Sequence, residues 1–365
     1  MTWKFHIPAG TRSRRLNERI SAAIVVVALA AAGATSAAPP PEARSEVLTF
    51  DQYTPLASNL VMAGRLLTPL TAEQLRDRLA TTGQELRDQP IDLAHEQFRV
   101  YVPGMKPPAG YGVFVFVPPW QENDMPRGWE TAFDKQGVIF VSAARSGNEE
   151  SPLGRREPLA ILAAYNVIQR FPVDRSRVYI AGFSGGSRIA LRLALGYPDL
   201  FRGAFLDAGS DPIGEPDLPL PPRALFEQFR VSSRLIYVTG TRDAFHMTQQ
   251  SGSVGSMSRF CVVNVSTQPV AGLGHALAPP SVVAAALGVL SSPVPPPSPR
   301  AEQCWTRLTA EVDGALSEAE AKMDRGDPKA ARRRLDRIDK RFSGLAAPRS
   351  VALAQKLKGA LPPGA

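Results

Sequence analysis

Cysteine is scarce in this chain of 365 residues, which has only two, Cys261 and Cys304, and no paired C-x-x-C. Histidine numbers four, and no H-x-x-x-H pair occurs. These shortages leave no metal-ligand cluster, and no metal is expected. A phosphate-loop lysine motif is missing, as is the glycine fingerprint that a dinucleotide site needs after its first strand, so no cofactor is called for. Aromatic residues make up 7% of the chain, and no basic stripe with interleaved aromatics runs through its centre. The net charge of +8 comes from the ends: residues 1–37 and 301–365 carry +4 each, which leaves the stretch between them near neutral. This distribution argues against nucleic acid as a partner.

What is present begins with an export signal. A basic stretch ends at Arg19, and residues 20–32 are almost wholly apolar. That run has the length of a signal-peptide core and is too short to span a bilayer securely. Thr35-Ser36-Ala37 suits cleavage before Ala38, and an uncleaved N-terminal anchor is the alternative. Ser13-Arg14-Arg15 has the look of a twin-arginine signal, although Asn17 stands where such signals carry a large apolar residue. No cysteine follows the apolar run, which disfavours a lipoprotein. Residues 1–37 therefore read as a signal peptide and the mature protein as periplasmic or secreted, touching a membrane only through that signal. In an oxidising compartment Cys261 and Cys304 are expected to pair, the alternative being two buried thiols. The pairing would tie the tail to a strand leading towards His275.

Residues 38–95 form an N-terminal extension. Its first part, 38–48, is rich in Pro and Ala and reads as mobile. Thr71 is the expected cap of a helix, with Gln74 three residues on. From Phe98 the pattern changes. Short β-rich runs at 98–102, 112–117, 137–141, 177–181, 204–207, 234–240 and 260–265 alternate with helical segments at 129–135, 158–170, 186–195 and 223–229. Most of the runs are continuously apolar, as in strands covered on both faces. Residues 96–291 thus read as an α/β domain with a mostly parallel sheet flanked by helices. Residues 292–300 are a Pro-rich linker. In 301–365 a helical hairpin follows, 301–324 and 328–342, with Asp327 as cap, Pro328 at the first helical position and a third helix at 349–358.

One segment carries chemistry: Val178-Tyr179-Ile180-Ala181-Gly182-Phe183-Ser184-Gly185-Gly186. A strand leads into Gly182 and a helix leaves from Gly185. Glycine two before and two after the serine lets a turn this tight form, lifting Ser184 above the sheet edge. Serine needs a base held by an acid. With the signal removed, the imidazoles are His95, His246 and His275. His95 precedes the first strand, His246 lies on a helix just after Asp243 and reads as a bystander, and His275 stands in a Gly-rich loop after the last strand. His275 is the expected base. Asp243, 32 residues before it, is the expected acid, with Asp207 and Asp211 as runners-up and a helix cap as its plain structural role. The N–H of Gly185 faces an oxyanion. Prolines 118 and 119 have no N–H, so the second donor falls to Trp120. Arg145 and Asn148, at the end of another strand, are candidate substrate contacts, with a structural pairing as the equal alternative for the arginine.

At the elbow, the Tyr197-Pro198-Asp199-Leu200-Phe201 run and the Gly274-His275 loop, the sequence resembles the polyhydroxybutyrate depolymerase-like and feruloyl-esterase-like branch of secreted α/β-hydrolases. The resemblance covers roughly 98–290. It implies an α/β-hydrolase fold and a serine esterase acting on a small-molecule or polymeric ester, with Ser184, Asp243 and His275 matching the family triad. Pro118-Pro119 departs from it, standing where relatives carry a His-Gly pair. A peptidase or acyltransferase on the same triad, and a binding protein that kept the fold without turnover, are the alternative functions.

Overall fold

Eight strands form one sheet in a computed structural model that describes residues 42–83 and 88–360. They are β1 (Arg44–Leu48), β2 (Phe98–Val102), β3 (Tyr111–Val117), β4 (Val138–Ala143), β5 (Val173–Phe183), β6 (Gly203–Asp207), β7 (Arg234–Gly240) and β8 (Val265–Val270). Their order is β1-β2-β4-β3-β5-β6-β7-β8. β2 pairs antiparallel with both its neighbours, and every pair from β4 to β8 is parallel. The expected export signal lies outside the described residues.

The apolar runs explain the layering. Every residue of β3 and β4 is buried. Alternate side chains point to opposite faces. Val113, Val115, Val117 and Ile180 enter one core with α1 (Asn59–Leu66), α2 (Pro69–Thr82), α4 (Glu157–Arg170), α5 (Gly185–Gly196) and α6 (Arg223–Ser232). Phe114, Phe116, Tyr179 and Phe205 enter a second core under α3 (Glu130–Gln136) and α8 (Pro280–Leu290). The C-terminal helices α9 (Pro299–Asp324), α10 (Pro328–Phe342) and α11 (Arg349–Ala360) belong to the first core, through Trp305, Leu316, Leu335 and Leu353. Polar contacts reinforce this: buried Arg230 donates to the Glu302 carboxylate at 2.9 and 3.2 Å. Asp339 accepts from the Thr68 hydroxyl at 2.6 Å and the Leu70 N–H at 3.2 Å. Asp327 caps α10 as expected, accepting from the Ala330 N–H at 2.9 Å.

Four expectations are corrected. The expected mobile stretch 38–48 contains β1, an edge strand whose exposed side chains gave no apolar signal. The cap of α2 is Thr68, which accepts from the Thr71 N–H, because Pro69 is favoured at the first helical position. The last strand lies at 265–270 rather than 260–265. The apolar run Phe260-Cys261-Val262 is a buried turn closing α7 (Ala244–Arg259), and the real strand is a half-exposed edge. Cys261 does pair with Cys304, with 5.7 Å between α-carbons. However, it precedes β8 while His275 follows it, so the bridge sits at the sheet edge opposite His275 and does not steady that loop. Among the described residues no helix is long and apolar enough to cross a membrane.

Candidate active site

Ser184 occupies the turn between β5 and α5 with φ 52° and ψ −121°. Positive φ is costly for a residue with a Cβ and persists only where the surroundings enforce it. Here they do. A Cβ on Gly182 would overlap the backbone of Gly186, and one on Gly186 would overlap the Val117 carbonyl. The Ser184 N–H donates to the Asp207 carbonyl at 2.8 Å, fixing the turn to the end of β6.

His275 arrives from β8. Gly272, at φ 73°, turns the chain after the strand, and His275 follows in a loop before α8. The loop is pinned from below: the Ala278 N–H donates to Asp207 Oδ2 at 2.8 Å, and Trp129 Nε1 donates to the Ala278 carbonyl at 3.3 Å. His275 Nε2 stands 3.0 Å from Ser184 Oγ, and its Nδ1 stands 2.7 Å from Asp243 Oδ2. A carboxylate only accepts, so Nδ1 carries the hydrogen and Nε2 is left to accept from the serine. Asp243 follows β7 and also caps α7, accepting from the His246 N–H at 3.3 Å. Burial pushes its carboxyl up, but hydrogen bonds from His246 and His275 outweigh that and hold it below its ordinary value.

His246 is the residue that sequence reasoning missed. It lies one helical turn from Asp243, and its Nδ1 is 2.9 and 2.8 Å from the two carboxylate oxygens. Its ring stacks on that of His275, 4.2 Å between centroids and 9° apart. Phe183 also stacks on His275, at 4.9 Å and 26°. Two rings cannot share one face of an imidazole, so His275 is held between them. The Asp243-x-x-His246 spacing on a helix start was the available signal. Asp243, His246 and His275 also bring three ligand-type atoms within 4.8 Å of one another. A metal binds an imidazole in its ring plane. Two parallel rings stacked face to face hold those planes apart, so the cluster fits hydrogen bonding better than one shared ion.

The runners-up are elsewhere. Asp207 is fully buried, and burial raises its carboxyl to about 8, with the Ala278 N–H pulling the other way. Asp211 faces Arg188 at 3.7 Å. His95 is on the surface beside Asp92. Arg145 is drawn into a structural pairing: it donates to the His95 carbonyl at 2.6 Å and to Glu96 at 3.1 Å. Asn148 packs its side-chain amide against Gly185 and lines a cleft with Ser184. Trp120 packs on Phe183 and Phe116, at 6.1 and 6.4 Å.

The sequence matches no protein-family model and no curated protein. Among solved structures it is similar to an S-formylglutathione hydrolase from Staphylococcus aureus, 13% identical with a TM-score of 0.41, over 54% of this chain and 93% of the other. It is also similar to a ferulic acid esterase, 16% identical with a TM-score of 0.38, over 53% of this chain and 88% of that one. Likenesses of this degree assign neither family nor activity. The strand order, the lone antiparallel strand β2 and the strained serine between β5 and α5 give the chain the α/β-hydrolase fold.

Proposed function

We propose that this protein is an exported serine hydrolase acting on carboxylic esters. The observation that carries the reading is the relay Ser184 Oγ, His275 Nε2, His275 Nδ1, Asp243 Oδ2, with links of 3.0 and 2.7 Å. Ser184 attacks the ester carbonyl while its proton passes to His275 Nε2. The tetrahedral oxyanion accepts hydrogen bonds from the backbone N–H of Gly185 and of Trp120. Its collapse breaks the bond to the alcohol oxygen, which takes the proton back from His275. Water then repeats the sequence on the acyl-enzyme and regenerates Ser184. Asp243 keeps the proton on Nδ1 and stabilises the imidazolium. The disulfide supports export, since such bonds persist outside reducing compartments. The polyhydroxybutyrate depolymerase-like and feruloyl-esterase-like branch remains the family to which the elbow and the Gly274-His275 loop point.

Labelling with a fluorophosphonate probe tests this. Wild-type protein should be labelled, and Ser184→Ala should not. His275→Ala and Asp243→Asn should slow both labelling and ester hydrolysis by several orders of magnitude, on the order of 10⁴ for the aspartate. A folded wild-type protein that resists the probe would favour a binding protein on this fold.

A further inference from the structure

Beside Ser184 lies a cleft of about 640 Å³ that is as apolar as it is polar: Leu153 and Ile189 line it together with Asn148, Arg188, Asp211 and His246. Residues four apart on a helix share a face. Ser184, at the start of α5, is therefore followed along one stripe by Arg188 and Arg192. A long apolar acyl chain placed along this stripe would strip water from the guanidinium groups.

The arginines of this cleft differ in what they already hold. Arg156 is buried and donates to the Ser146 and Pro118 carbonyls at 2.9 and 3.0 Å. Arg192 donates to the Glu157 carboxylate and the Asp217 carbonyl, both at 2.6 Å. Arg188 has only Asp211, at 3.7 Å, which is beyond hydrogen-bond length, and its side chain is 39% exposed. Among the described residues it is the cleft guanidinium that makes no side-chain hydrogen bond, one turn from the nucleophile. A planar fork of this kind matches a carboxylate bidentately. Asp211 lies too far off to occupy the donors of Arg188; burial pushes its carboxyl up, although Arg188 draws it down.

Resting on the reading of Ser184 as nucleophile, we infer that Arg188 binds a carboxylate on the substrate, making the preferred substrates small polar esters that carry a free acid group. The test pairs two esters of equal length: 4-nitrophenyl hydrogen succinate, which is anionic, and its neutral methyl ester. Wild-type kcat/KM should favour the anionic ester by about tenfold or more. Arg188→Gln should abolish that preference, mainly by raising KM for the anionic ester, while the neutral ester stays within about threefold. Asp211→Asn is the second variant and should sharpen the preference, because it removes the competing carboxylate. Equal rates on the two esters in wild type, or an Arg188→Gln loss shared equally by both, would overturn the inference. Fluorophosphonate labelling of the same preparations separates the two ideas. Labelled enzyme without anion preference loses only the role of Arg188. Unlabelled enzyme that hydrolyses neither ester loses the nucleophile and this inference together.

Discussion

His246 and His275 lie face to face, 4.2 Å between ring centroids, and both direct Nδ1 at Asp243. One carboxylate thus holds two imidazoles, and only one of them reaches the serine. His275 sits on an exposed loop, whereas His246 is fixed in the first turn of α7 with its side chain 15% exposed. The ring fixed on the helix therefore walls the one carried by the loop.

These contacts lead us to expect that His246 acts as a positioning residue rather than a bystander. Replacing it with leucine should lower kcat about tenfold with KM changed by about twofold or less. His246→Asn keeps an N–H towards Asp243 and should recover part of the loss. Steady-state rates on a chromogenic ester decide: a leucine variant with wild-type kcat would return His246 to the surface role its sequence position suggested.

Asp207 ties the elbow to the His275 loop, through its carbonyl to Ser184 and through Oδ2 to Ala278. Its folded-state carboxyl is raised by burial to about 8, while the unfolded chain titrates near the ordinary value of 3.8. Between those values the unfolded state binds fewer protons, so the contribution of this residue to stability falls as pH rises and is lost through about pH 8. Asp207→Asn cannot ionise. Denaturant unfolding should find the variant gaining on wild type from pH 5 to pH 8; a pH-independent difference would show that Asp207 is not held neutral.

Serine at both Cys261 and Cys304 opens a loop with a sequence separation of 43. In the chain-entropy model this costs roughly 4 kcal/mol. Because the bridge lies at the edge of the sheet away from His275, kcat should be unchanged at temperatures where the variant is folded. Calorimetry alongside initial rates checks both halves. A large fall in kcat with little loss of stability would mean that the bridge acts on the active-site edge after all.

The central strands were legible in the sequence because most of β3 to β7, including the second half of β5, is covered on both faces and reads as apolar runs. The elbow was legible because its glycines are forced by contact with Gly186 and Val117. The edges were not. β1 and β8 are half exposed and carry no such run, and the one apolar run near β8, at 260–262, belongs to a buried turn. His246 escaped because its meaning depends on where β8 returns His275, a distance in space that no local spacing encodes. For Arg145 the sequence left substrate contact and structural pairing both open for the same reason: its partner Glu96 lies 49 residues earlier in the chain.

The bridge between residues 261 and 304 encloses the Pro-rich stretch 292–298 that precedes α9. A protease that cuts in that stretch leaves two polypeptides still joined by sulfur and by a shared interior. Such a clipped molecule would migrate as one species in a denaturing gel and fall into two bands only once a thiol is added. Proteases act on exposed connections, and a single cut there would not release the tail.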